Sequence, residues 1–194
     1  PTSFRPHWHL LLFSNSERIL ANCFLMLALC SVLMVACIYP IRIPMLRYFG
    51  ASDITLPYAN AYFTIYLTGT VFALMSTGMN QFIICQGFAK IGMKAVVLGA
   101  IANIVLDPLF IFGLGMGVKG GALATVISQA VSCVWVISFL CGKKTQLQLK
   151  VSNMKMKKSV ILPCVALGTA TFVMQASESI ITVCFNSSLL KYGG

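Results

Sequence analysis

Five stretches of this sequence, Ile19–Ile41, Ala59–Phe88, Ala95–Phe112, Ala122–Leu140 and Val160–Leu190, run for at least eighteen residues each and carry only two charged side chains between them. At a helical rise of about 1.5 Å per residue, each is long enough to cross roughly 30 Å of hydrocarbon. None alternates apolar and polar residues with the period of two that a barrel strand needs, and a helix satisfies its own backbone groups in lipid. The second and fifth exceed the length of a span, so tilt or extension past the interface is expected. One such stretch could lie inside a soluble core. Five in succession cannot, because only 9% of the chain is charged where a soluble domain carries roughly a quarter. The fold class expected is all-α, a polytopic membrane helix bundle.

The net charge of +10 would suit nucleic acid, but its placement argues for topology. Six of the fourteen Lys and Arg residues fall between Lys143 and Lys158, in the loop between the fourth and fifth stretches. If that loop is cytoplasmic, Arg5, Arg18, Lys90 and Lys94 are also inside, and only Arg42, Arg47, Lys119 and Lys191 are outside. This is the positive-inside bias, with anionic lipid head groups as a further partner for the loop. No recognition motif surrounds these lysines, so no nucleic-acid partner is expected.

The eight cysteines show no CxxC pair and no His partner at ligand spacing, so they read as small residues tolerated in helices. No catalytic constellation emerges, and neither enzyme activity nor a cofactor is expected. "HLLLF" (His9–Phe13) is too short for the apolar region of a cleavable signal. The chain opens on "PTSFRPHWH" and stops at "LLKYGG" directly after an apolar stretch, so it is expected to be a piece of something longer.

Between and within the spans, Pro40 and Pro44 are expected to stop the first helix and Pro57 to start the second in its first turn. Tyr58, Tyr62 and Tyr66 recur every four residues, as an interfacial aromatic belt or a substrate-facing stripe. Gly69, Ser76, Thr77 and Gly78 are the small residues that let membrane helices approach, and Asn80, Gln81 and Gln86 suit hydrogen bonds between helices. "GLGMGVKGG" (Gly113–Gly121) lacks both the preceding strand and the GK[ST] ending of a phosphate loop. It reads as a tight outer turn, followed by close packing of Gly120, Gly121, Ala122 and Ala124.

Of four acidic residues, Glu17 and Asp53 fall in expected loops, whereas Asp107 and Glu178 lie inside apolar spans. A carboxylate there costs at least ~2.5–3.5 kcal/mol on insertion scales, so it faces a bundle interior or a cavity. Asn103 and Asp107 are four apart on one helix face, and Pro108 leaves the Ile104 carbonyl without its helical donor. A carboxylate, an amide oxygen and a free carbonyl within one turn suit Na⁺, and the carboxylate alone suits a proton. Thr125, three residues into a helix returning from the outer side, reaches a similar depth and can add a hydroxyl oxygen. A neutral aspartic acid bonded to a neighbouring helix is the alternative. Glu178, with Gln175 three residues earlier, suits either a second protonation or substrate contact or simple packing polarity.

The stretches "NIVLDPLFIFGLGMGVKGGALATVISQ", "LRYFGAS", "YANAYFTIYLTGTVFALMSTGMNQFI" and "FVMQASESIITVCFNSSLLKYGG" together resemble the multidrug and toxic compound extrusion (MATE) transporters, most closely their bacterial MepA-type and DinF-type branch. The resemblance runs from about Ser16 to Gly194. It implies a twelve-helix, two-lobe antiporter of a bacterial inner membrane that exports cationic amphipathic drugs in exchange for Na⁺ or H⁺. The five spans would be helices three to seven, with 1–15 unmatched, 16–142 in the amino-terminal lobe, 143–159 the basic cytoplasmic linker and 160–194 opening the carboxy-terminal lobe. Asn103, Asp107 and Thr125 match the family's amino-lobe cation site, and Glu178 a helix-seven acid. The family's acid on helix one has no counterpart, and helices one, two and eight to twelve are the missing partners. Two other readings compete: a lipid-linked oligosaccharide flippase of the same superfamily, and a non-transporting gene remnant. The flippase reading expects basic residues in the cavity, whereas every Lys and Arg here falls in or beside a loop.

Overall fold

A computed structural model describes residues 7–142, 145–149 and 158–192, and every regular element among them is helical. The helices are α1 (His7–Tyr48), α2 (Leu56–Cys85), α3 (Ala89–Pro108), α4 (Val118–Cys141) and α5 (Lys158–Tyr192), with a π-helical turn (Leu109–Gly113) between α3 and α4. The chain divides into two units, Pro1–Lys155 and Met156–Gly194. Most of the expected basic linker (143–144 and 150–157) and part of the expected unmatched segment (1–6) lie outside the described residues.

Each of the five expected spans is a helix. Among the described residues, Ser16–Tyr48, Ala89–Gly113 and Val118–Cys141 are long and apolar enough to cross a membrane. In α5, whose side chains are described only in part, Phe172–Phe185 is an apolar stretch. The long helix α2 is more polar because it packs against α1, α3 and α4, so protein rather than lipid covers much of it.

The first unit is arranged inside out relative to a soluble domain. On α3, Val96, Ile101, Ile104 and Val105 are exposed, while Gly92, Ala95 and Gly99 are buried. The buried side of α4 carries Gly120, Ala122, Ala124, Ser128 and Ser132. Without water on either side, helices associate through close backbone approach, and small residues permit it. Gly69 lies against Val126 and Gly78 against Leu27, as the small residues of this span lead one to expect. At Gly120 a Cβ would sit 2.8 Å from the carbonyl carbon and oxygen of Phe110, so only glycine fits there.

Two expectations are corrected. Glu17, expected in a loop, lies within α1, which begins at His7. Pro40 and Pro44 do not stop the first helix, and α1 runs through both to Tyr48. Each proline removes one N–H donor, leaving the Ala36 and Pro40 carbonyls without their helical partners, but the flanking helical bonds persist. Here Arg42 donates through Nη1 to the Tyr39 carbonyl at 2.7 Å and lies 4.2 Å over the Tyr39 ring. Its Nε donates to Asn60 Oδ1 at 3.0 Å, tying the end of α1 to the start of α2. Pro57 does sit in the first turn of α2, and the rings of Tyr62 and Tyr66 stack 5.9 Å apart.

The apolar core lies at one end of the bundle, where Leu20, Met79, Ile83, Ala95, Val136 and Leu140 meet. Gln86 closes this end. Its side-chain oxygen accepts from the Thr145 hydroxyl at 2.7 Å and from the N–H groups of Gln146 and Leu147 at 3.1 and 3.0 Å. The chain after α4 thereby folds back, and Leu147 and Leu149 pack onto the core.

Candidate functional site

Toward the other end the same helices part around a cavity of about 350 Å³. Asn103 of α3 and Thr125 of α4 both line it, with Ser76 and Thr77 from α2, and Ser128, Gln129 and Ser132 from α4. No Lys, Arg, Asp or Glu is among the lining residues. Asp107 lies one turn beyond Asn103 along α3, half-buried. Its Oδ1 is buried and has no hydrogen-bond partner among the described residues, and the same holds for Asn103 Nδ2 and Gln129 Oε1.

The register of α3 against α4 sets the relative heights. Gly120 faces Phe110 at the glycine-turn end, and Gly99 faces Ser128 and Ser132 further along. Counting inward from the Phe110–Gly120 crossing at equal rise, Thr125 falls midway in height between Asp107 and Asn103. Ser132 locks this register by donating its hydroxyl to the Ala95 carbonyl of α3 at 2.9 Å, a buried bond between helices.

Past Asp107 the helix is altered as its sequence implies. Pro108 has no N–H to offer Ile104, the Leu109 N–H turns back to Leu106, and a widened π turn follows to Gly113. Gly115 and Gly117 then take φ of +63° and +56°, which an L side chain rarely adopts, and bring the chain back as α4.

Three hydroxyls of the α4 wall have already given up their protons. A Ser or Thr hydroxyl has a single proton. Thr125 gives its own to the Gly121 carbonyl at 2.9 Å, Ser128 to Ala124 at 2.8 Å and Ser132 to Ala95. These three oxygens therefore present lone pairs to the cavity, beside the unpaired oxygen of Gln129. No three His, Cys, Asp or Glu side chains come together among the described residues, so the donor set is hard neutral oxygen plus one carboxylate.

Ser128, Gln129 and Ser132 were not among the candidate site residues drawn from the sequence, although a signal for them existed. Positions 125, 128, 129 and 132 are the only hydroxyl or amide residues near the middle of α4, and their spacing of three, four and seven puts them on one helix face. Glu178 and Gln175 belong to the second unit, where both side chains are exposed on α5. There Ser179 and Thr182 donate to the main-chain carbonyls of Gln175 and Glu178, each at 2.9 Å.

Apolar-faced helices around a largely apolar cavity edged by hydroxyl and amide side chains, with a half-buried carboxylate one turn further along α3, define a multi-pass α-helical membrane protein. Its family follows from comparison. The MatE family model matches residues 13–109, half of the chain, and the protein belongs to that family. The chain is 31% identical over 143 residues to the multidrug export protein MepA of Staphylococcus haemolyticus, covering 74% of this chain and 32% of the relative. It thus spans about a third of the length of the curated relatives it matches. Among solved structures it resembles the outward-facing conformation of a multidrug resistance MATE family transporter of the MOP superfamily. That match has a TM-score of 0.82 at 26% identity and covers 92% of this chain and 40% of the other. A MOP superfamily transporter from Pyrococcus furiosus, whose reverse pocket polarity suggests a different function, matches with a TM-score of 0.83 at 26% identity, over 92% of this chain and 40% of that one.

Proposed function

We propose that this protein serves the export of cationic, amphipathic drugs across a bacterial inner membrane in exchange for Na⁺ or H⁺. Asn103, Asp107 and Thr125 form the coupling site. The observation that carries this reading is the buried, unpartnered Asp107 Oδ1, one turn along α3 from Asn103, which lines the cavity together with Thr125. Leaving a buried acceptor unpaired costs about 1–3 kcal/mol, and more for a charged group. A bound cation or proton removes that cost, and its release restores it, which is what a coupling site requires.

A cavity with no basic residue in its lining favours a cationic over an anionic passenger. The family fold has two lobes, and alternating access works one against the other, so transport belongs to the two-lobe protein. Glu178 and Gln175 supply a second contact for proton or substrate. Glu178→Gln is expected to change the substrate profile or the pH dependence of export.

The direct test is Asp107→Asn, made in the protein expressed from its own locus. It keeps the shape and removes the ionisable group. Ethidium efflux driven by a Na⁺ or H⁺ gradient should be abolished while the amount of protein in the membrane is unchanged. Efflux at the wild-type rate would refute the site.

A further inference from the structure

The cavity extends past the coupling site, and its inner part needs its own account. Gln129 follows Thr125 by one turn of α4, about 6 Å along the axis and away from Asp107. Its unpaired Oε1 lies at a height between Asn103 and Gly99, too far along the bundle to serve an ion held on Asp107. Around it stand the Ser128 and Ser132 oxygens, whose protons are spent on Ala124 and Ala95. Asn103 faces the same space, and its amide can turn to present its own oxygen.

We propose that this inner part is a second cation station, in which Gln129 Oε1 and the hydroxyl oxygens of Ser128 and Ser132 hold a hydrated Na⁺ on its way to or from Asp107. Three observations carry it. On α4, Gln129 Oε1 and the Ser128 and Ser132 oxygens have no proton to offer and can only accept. No carboxylate lines it, so an ion is held loosely enough to move on. The whole cavity, with the Asn103 and Thr125 part included, is about 350 Å³, roughly ten times the ~30 Å³ share of one liquid water, so its inner part has room for an ion keeping part of its shell. The station's part in passage rests on the reading of Asp107 as the capture site, but its binding can be measured separately.

The experiment is saturation binding of radiolabelled Na⁺ to the purified 194-residue chain in lipid nanodiscs. Wild type, Asp107→Asn, Gln129→Leu, Gln129→Glu and the Asp107→Asn/Gln129→Leu pair are compared. Two classes of site are expected. The tighter is lost in Asp107→Asn. The weaker persists there and loses about tenfold in affinity in the double variant, the size of one charge-assisted contact. Gln129→Glu should tighten the weaker class, a gain that misfolding cannot produce.

If Asp107→Asn binds no more Na⁺ than the double variant and Gln129→Glu changes nothing, the second station does not exist, while the Asp107 reading stands. If Asp107→Asn keeps both classes and Gln129→Leu loses one, the station stands and the Asp107 reading falls. Absence of Na⁺ binding to the wild type overturns the station outright, as it would if a side chain of another helix filled the cavity.

Discussion

The helices α2, α3 and α4 build two regions that differ in every respect except the backbone that carries them. At the Gln86 end, Met79, Ile83, Val136 and Leu140 are wholly buried against one another and Leu20. The polar group there, Gln86, has its oxygen fully used by three donors. Halfway along, the same helices carry Gly99, Asn103, Thr125, Ser128 and Gln129 and part around a cavity. Three unpaired buried polar atoms gather on this stretch of α3 and α4, on Asn103, Asp107 and Gln129. Unpaired oxygens also occur near the core, on Asn22 and Asn80, but singly, and the Asn22 amide still donates to Arg18. One region spends its side chains on cohesion, and the other leaves polar atoms unanswered at a cost to stability. That cost is tolerable where a ligand meets it.

Substitutions can break or sharpen this contrast. The largest stability effect is expected at Leu140→Ala, which empties a wholly buried position and should cost about 2–5 kcal/mol. Equilibrium unfolding of the purified chain in mixed micelles would read it as a large drop in midpoint. Gln86→Leu should come next. It leaves two N–H groups without their acceptor, while the Thr145 hydroxyl keeps the Leu147 carbonyl 3.1 Å away, a loss of about 1–3 kcal/mol. Faster hydrogen exchange at Gln146 and Leu147 would accompany it. Gln129→Leu should be smallest and of opposite sign, neutral or stabilising by up to about 1 kcal/mol, because it removes a buried acceptor that nothing satisfies. Should Gln129→Leu destabilise as much as Leu140→Ala, the cavity wall is ordinary core and the contrast is lost.

Much of this was readable along the chain because lipid imposes a simple rule. Apolar length forces helices, and the five spans expected are the five helices found. The buried carboxylate, its amide neighbour one turn away and the proline beside it were legible too, as charge and helix breakers stand out in a hydrophobic run. Pro40 and Pro44 mislead, because each removes only one bond from the helix and the bonds on either side carry α1 through. Gln129 was passed over because an amide in a span is ambiguous until its neighbours are known.

The sequence by itself determined the class of fold, the number of helices and the presence of a carboxylate that lipid would not tolerate. Each follows from the free energy of placing one residue, or one run of residues, in hydrocarbon. Only the tertiary structure decided which polar groups are answered. Gln86 meets a segment about sixty residues away in the chain, while Gln129 meets an open cavity. The two are the same side chain, one at the cap of α2 and the other within α4. Hydrogen bonding depends on a partner's position in space, and the chain fixes that position only when the helices have packed.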